Sequence, residues 1–439
     1  MVTRSETLII GAGQAGLALS RHLSTLGHPH LLLDRGRVGE RWRSERWDSF
    51  RLLTPNWQLS LPGHAYSGED RDGFLTRDQV VGFLEGYARS FDAPVRTGVT
   101  VHRVHPGGAG WLVETNAGTF DAANVVVATG HHGVPRIPLP CAQRLPADIM
   151  QYHTSHYRRP GQLPPGGVLV VGAGPSGQQI ADELAQAGRT VVIAAGRHRT
   201  LPRRYRGRDA HWWLERMGAF ERTVDSLADP RTARSAPAFV LAGGHYDLDL
   251  RRLVDHGVIA AGRLAGILGP TAWFADDLAA TVADADANAR AFRSAVDDFV
   301  ARTGLAAAAP DDPPPSAGAW AHTAPRVLHL RHMDIRSVIW ATGFRRDFTW
   351  IDADVFDADG EPVQRRGVTA APGLYFLGLR WMHRRGSDTI HGVGADAEHL
   401  AGVISRRSLP RSPDLGFPAL GRPLAASVSA PTHDGSPPA

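Results

Sequence analysis

Two stretches of one chain, TLIIGAGQAGLALSRHL (residues 7–23) and VLVVGAGPSGQQIADEL (residues 168–184), are built the same way. Each places a short apolar run before three glycines at G-x-G-x-x-G spacing, and each continues into a helix-like stretch. A strand feeding a helix through so tight a turn predicts a βαβ unit of a parallel sheet. Two such units predict an α/β protein with two Rossmann-like dinucleotide-binding domains. In the first, Gly11 permits the turn, Gly13 lets the backbone approach a pyrophosphate, and Gly16 lets the helix pack on the strand. Gly172, Gly174 and Gly177 hold the equivalent places in the second, with Ser176 in the same turn as a further cofactor-facing candidate.

The strands that follow distinguish the two sites. After the first turn, a strand expected at 30–34 ends in Asp34, followed by Arg35. A carboxylate roughly 20 residues beyond the glycines binds ribose hydroxyls. That suits FAD, whose AMP ribose keeps a free 2′-hydroxyl. After the second turn, TVVIA (190–194) ends in no acid and runs into AGRHRTLPRRYRGRD (195–209). A guanidinium there holds a 2′-phosphate bidentately, so this site is expected to take NADPH. Arg197 and Arg199 lie nearest the strand end and are the candidates, while the other arginines of the loop read as solvated. A protein that holds both dinucleotides is built to pass a hydride from one to the other.

Composition narrows the chemistry. Among 439 residues there is one cysteine, Cys141, which excludes an internal disulfide framework, a cysteine-cluster metal site and a CxxC redox pair within the chain. A disulfide reductase of similar layout needs such a pair beside its flavin. No metal site is read from the sequence. Every basic side chain is arginine, the net charge is only +4, and the arginines are dispersed, which speaks against nucleic-acid binding. No apolar run approaches the roughly 20 residues of a membrane span, and the N-terminus lacks a signal-peptide pattern, so the expected location is the cytoplasm.

Further strands are expected at 99–104, 111–115 and 124–128, and a crossover at GVPRIPLP (133–140) leaves the first domain. Helical periodicity returns at 276–303, and a loop at 309–320 precedes a strand ending in VIWATGF (338–344). GLYFLGL (373–379) is the last expected strand, and HGVGADAEHLAGVISRR (391–407) a glycine-led helix. The expected division is 1–158 and 336–408 for the FAD domain, 159–335 for the NADPH domain, and a disordered tail over 409–439.

Six motifs taken together resemble the class B flavin-dependent monooxygenases, which include flavin-containing and YUCCA-type enzymes and bacterial flavoproteins labelled as involved in potassium transport. They are GAGQAG, RWRSERWDSFRLLTPNWQLSLPG (41–63), ATG (128–130), HTSHY (153–157), GAGPSG and ATGF (341–344), completed by GLYFLGL and its helix. The resemblance covers residue 7 to about residue 405. It implies an NADPH domain inserted into the FAD domain, with the ATG turns at the crossings and Gly130 and Gly343 allowing close backbone approach. It sets Trp42, Arg43 and Trp47 against FAD, each with a rival use as a buried aromatic or a surface ion pair. It also brings Gly378, Gly392 and Gly394 toward the flavin. Asn56 would bond the flavin or nicotinamide, or serve only as a turn residue after Pro55. His391 would line the pocket, unless it is one of 21 histidines placed without function.

His153 and Tyr157 match the second half of the linker motif FxGxxxHxxxY, while Ala147 and Ile149 stand where Phe and Gly are usual. His153 reads as a hinge or domain contact rather than a proton-transfer group. Arg158–Arg159–Pro160 replaces the Trp-Pro of Baeyer–Villiger enzymes, which ranks ketone-to-ester chemistry below heteroatom oxidation or hydroxylation. The implied reaction is reduction of FAD by NADPH, formation of a C4a-(hydro)peroxide with O2, and oxygenation of a small organic substrate by N- or S-oxidation, hydroxylation or oxidative decarboxylation. The alternative is an NADPH-driven flavin oxidase or reductase. Residues 209–330 are open to three uses: a pocket wall, a cover over the NADPH site, or a homodimer surface.

Overall fold

The computed structural model describes residues 2–107, 110–312 and 318–408. The expected tail at 409–439 and the centre of the Pro-rich loop lie outside them. Strand β1 (Val2–Ile10) leads through the first glycine turn into helix α1 (Gln14–Thr25) and strand β2 (His30–Leu33). Strand β3 (Gly118–Val127) lies on the other side of β1. Both neighbours run parallel to β1, with Ile10 opposite Leu33 on one side and Val127 on the other. Leu8, Ile9, Val125, Val126 and Val127 are all buried, as a sheet covered on both faces requires. A hairpin of strands Val101–Gly107 and Gly110–Thr115 extends antiparallel from β3.

The pattern repeats in strand β4 (Gly167–Val171), helix α2 (Pro175–Gln186) and strand β5 (Val191–Ala194). The long helix α3 (Leu278–Thr303) follows, then strand β6 (Ile335–Trp340), which pairs parallel with β4. Strand β7 (Leu374–Phe376) returns to the first sheet beside β3, and helix α4 (Val393–Ser408) lies against α1. The strands of the second sheet therefore all fall, in sequence, between β3 and β7 of the first.

The boundaries expected at 158/159 and 335/336 are corrected by hydrogen bonding. The second sheet runs Met150–His153, β6, β4, β5, Ile259–Ala261, all parallel, so 150–153 and 335–340 belong to it. The strand expected over 338–344 stops at Trp340, because Ala341–Gly343 turns away at a glycine with φ +79°. A small antiparallel sheet, Leu264–Leu268, Thr271–Phe274 and Val327–His329, was not anticipated. One apolar core joins both large sheets, and a separate cluster around Trp213, Tyr205, Phe292 and Val296 anchors α3 and the helix Ala210–Arg216.

Candidate active site

The two glycine turns have the same geometry. Gly11 and Gly172 have φ of +113° and +114°, and a Cβ at either would stand 2.6 Å from the Ala128 carbonyl oxygen or 2.5 Å from that of Ala341. Gly16 and Gly177 are closed by their own turns, since a Cβ at each would lie 1.9 Å from the carbonyl oxygen of Gly11 or Gly172. Gly13 and Gly174 differ, because a Cβ at either meets nothing within 4 Å. Each ATG stretch thus closes against its own fingerprint, 128–130 on the first turn and 341–343 on the second. Gly130 and Gly343, with φ of +73° and +79°, also face open space.

Gly13 and Gly174 are the N-caps of α1 and α2, and neither helix has a side-chain cap or an acid in its first turn. Several other helices do carry side-chain caps: Thr76 and Gln79 form a capping box on Arg77–Arg89, and Asp209 and Asp249 cap Ala210–Arg216 and Leu250–Asp255. Uncapped N–H groups on a positive helix end, facing open space at a glycine, fit a dinucleotide pyrophosphate.

A cavity of about 460 Å³ opens at the first turn. Of the expected FAD residues, Gly11, Gly13, Asp34, Arg35, Trp42, Gly130 and Gly378 line it. Asp34 Oδ2 accepts from the Ala12 N–H and Oδ1 from the Gly36 N–H, both at 2.8 Å, so the carboxylate is fixed at the strand end where a ribose would lie. Gly378 (φ +77°) faces the Ala15 Cβ, 2.6 Å from where its own Cβ would stand, and so lets the β7 end approach α1.

Two expected flavin contacts are corrected. Arg43 turns away from the cavity and pairs with Glu85 of the Arg77–Arg89 helix at 2.6 Å. Trp47 is 3% exposed and packs edge-on against Phe50 in the core, with ring centroids 5.1 Å apart. The cavity takes Arg41 and Arg46 from the same stretch instead. Arg46 lies over the Trp42 ring at 5.3 Å, and burial pushes its guanidinium down to about 10, Glu45 opposing and Arg41 adding. Among the described residues Arg41 Nη1 makes no hydrogen bond, and it stands 3.7 Å from Glu45 Oε2. Sequence reasoning also missed His131 and His132, which directly follow Gly130 and line the cavity together with Asp388. Burial, and then its neighbour His131, holds His132 well below the usual histidine range.

Asn56 is a turn residue. It opens a short 3-10 turn (Asn56–Gln58), is 2% exposed, and donates Nδ2 to the Asp70 carbonyl at 2.8 Å, leaving Oδ1 without a partner among the described residues. His391 has both ring nitrogens buried and without a hydrogen-bond partner among the described residues, and sits edge-on to Phe220 at 4.7 Å. Burial pushes it down to about 4 against the pull of Glu221, so it is neutral at physiological pH. Gly394 faces Pro62, 3.2 Å from a Cβ built on it.

The linker residues are structural joints. His153 Nε2 lies 2.9 Å from the Gly343 carbonyl and donates to it, and Nδ1 accepts from the Ser155 N–H at 3.2 Å. Tyr157 donates to Glu183 Oε2 at 2.7 Å, and Ser49 donates to Oε1 at 2.8 Å, tying the 41–63 stretch to α2.

The arginine loop after β5 is corrected as well. It is not a solvated run, because Arg203 is 1% exposed and forks onto Asp209 while Arg206 pairs with Asp297. Arg197 is exposed, whereas Arg199 is half-buried, with Nε donating to Asn288 Oδ1 at 3.2 Å and Cζ 4.1 Å from the Phe239 centroid. Ser176 sits in the first turn of α2.

The family model for pyridine nucleotide-disulphide oxidoreductases matches residues 8–217. An uncharacterized CzcO-like oxidoreductase of Geobacillus kaustophilus (strain HTA426) is 35% identical over 403 residues, covering 91% of this chain and 98% of the relative. The indole-3-pyruvate monooxygenase YUCCA1 of Oryza sativa subsp. japonica is 32% identical over 202 residues, 45% of this chain and 49% of that protein. Among solved structures, a flavin-containing monooxygenase from Stenotrophomonas maltophilia superposes with a TM-score of 0.62 at 19% identity, over 92% of this chain and 99% of that one, a likeness of fold.

Proposed function

The chain belongs to the CzcO-like oxidoreductases within the class B flavin-dependent monooxygenase family, and from that premise we propose that it is an NADPH-dependent FAD monooxygenase acting on a small organic molecule. The observation that carries this reading is the pair of uncapped glycine-led helices, one followed by a fixed carboxylate and the other by arginines.

At the first turn the N–H groups at the start of α1 face a pyrophosphate, and Asp34 accepts from the ribose hydroxyls of FAD. Trp42 lines the cavity, and Arg41 and Arg46 supply positive charge beside it. At the second turn the start of α2 holds the pyrophosphate of NADPH, with Arg197 free to reach a 2′-phosphate. When bound, the flavin accepts a hydride and activates oxygen, and this chemistry belongs to the cofactor. The protein positions the partners: His153 braces Gly343, and the Tyr157–Glu183–Ser49 link ties the two halves together. Neutral His391 offers a buried hydrogen-bonding nitrogen without adding positive charge. The absence of a second cysteine favours oxygen rather than a disulfide as the electron acceptor.

The FAD-loaded protein is expected to bleach its flavin on anaerobic mixing with NADPH, and Gly174→Ala to slow that step at least tenfold without releasing FAD. A flavin that NADPH does not reduce would refute the proposal. The flavin oxidase alternative predicts one hydrogen peroxide per NADPH consumed, whatever small molecule is added.

A further inference from the structure

The ring of Phe239 sits under two guanidinium groups, with Arg199 Cζ 4.1 Å and Arg385 Cζ 5.1 Å from its centroid. Arg199 comes from the segment after β5, and Arg385 from the segment ahead of α4, so the two halves of the molecule meet at this ring. Arg380, from the same segment as Arg385, donates Nη1 to the Ala236 carbonyl at 2.7 Å and stands near both.

These cations lack acids. Arg199 has only the neutral Asn288 amide, Arg380 only a carbonyl, and Arg385 makes no side-chain hydrogen bond or ion pair among the described residues. Arginines nearby are matched: Arg203 with Asp209, Arg206 with Asp297, Arg251 with Asp286, Arg384 with Glu221. Burial pushes Arg385 down to about 10, and Arg199, Arg380 and Arg222 push the same way, with Asp388 alone opposing. Asp388 itself lines the FAD cavity, and His211, close to Arg385 and His391, is held neutral by burial. Gathering three partly buried cations with no acid in ion-pair contact is costly, and a guanidinium fork over an aromatic ring matches a planar oxyanion.

We infer that Arg199, Arg380 and Arg385 form an oxyanion seat across Phe239, beside the segment whose Asp388 lines the FAD cavity, and that the molecule oxidised is an organic acid held there by its carboxylate. The second half of this rests on the monooxygenase reading above. The 2′-phosphate of NADPH shares the same chemistry, and the two sources separate by experiment.

FAD-loaded protein is titrated with benzoate and benzamide, and with acetate and acetamide, reading heat and flavin absorbance. NADP+ and NAD+ are titrated in parallel. Each acid is expected to bind at least tenfold more tightly than its amide. Arg385→Gln and Arg380→Gln each lose about 10- to 100-fold of that affinity, the scale of one charge-assisted pair. Arg385→Lys retains part of it, and the preference for NADP+ over NAD+ is unchanged in all three. FAD occupancy and melting temperature confirm that the variants fold. Acids and amides bound alike, or Arg385→Gln leaving acid binding intact, would overturn the inference. Loss of the NADP+ preference in Arg385→Gln, with acid binding untouched, would assign the seat to the nucleotide instead. Failure of NADPH to reduce the flavin is a separate readout that bears on the proposed function alone.

Discussion

Gly13 and Gly16 stand three residues apart and do opposite things. A methyl on Gly13 enters open space, while one on Gly16 lands 1.9 Å from the Gly11 carbonyl. Gly13→Ala is therefore expected to keep the melting temperature and to weaken FAD binding at least tenfold, read by fluorescence of released flavin. Gly16→Ala instead destabilises the fold by about 3 kcal/mol or more, because backbone on both sides must move. The reverse ranking would mean that the open side of the turn does not face the cofactor. His391 yields a second prediction. Its folded value of about 4 lies below the ordinary 6.5, so the unfolded chain takes up a proton first as pH falls. Its contribution is complete above pH 6.5 and is lost progressively between 6.5 and 4, by about 1–3 kcal/mol. His391→Asn should flatten that part of a stability–pH profile measured by urea unfolding, whereas an unchanged slope would show that other histidines carry it. At this scale the glycines and Asp34 were legible because turn geometry admits few residue types. Arg43 and Trp47 were misread because ERWRSERW offers arginines and tryptophans on every side of a short helix, and only the position of Glu85 decides which one turns away.

Among the elements, β1, β3, β4 and β6 could be read from their apolar runs, and α3 from its periodicity, because burial on both faces or on one stripe leaves that mark. The small sheet at 264–274 and 327–329 could not be read: its strands span three to five residues and carry no clear alternation. The Arg77–Arg89 helix was signalled by Thr76 and Gln79, a capping box ahead of an apolar stripe that passed unused. The linker gives an element-scale test. Tyr157→Phe removes the hydroxyl from Glu183, a half-buried carboxyl whose pKa desolvation already raises, and leaves it with Ser49 alone. A loss of about 1–3 kcal/mol is expected in thermal or urea unfolding. A neutral result would show that the Ser49–Glu183 contact suffices to join the 41–63 stretch to α2.

Across the molecule, duplication of the glycine turn foretold two sheets, each with a parallel βαβ unit at its centre, and the strand ends set the nucleotide proposed for each. What the sequence did not foretell was the joint between them, where Arg199, from the segment after β5, meets Arg385 over Phe239. That contact depends on residues 186 positions apart, a relation no local pattern encodes. With Arg199 engaged there, Arg197→Gln is expected to lower the preference for NADPH over NADH by about tenfold, the worth of one charge-assisted pair, while leaving FAD binding intact. An unchanged preference would move the 2′-phosphate to another arginine. The central claim is that electrons from NADPH pass through the flavin to oxygen that is then transferred rather than released. Stopped-flow mixing of the NADPH-reduced, FAD-loaded protein with oxygenated buffer tests it most directly. A transient absorbing species is expected, distinct from both reduced and oxidised flavin, that decays more slowly than it forms. Direct return to oxidised flavin with stoichiometric hydrogen peroxide, under every condition of pH and nucleotide, would contradict it.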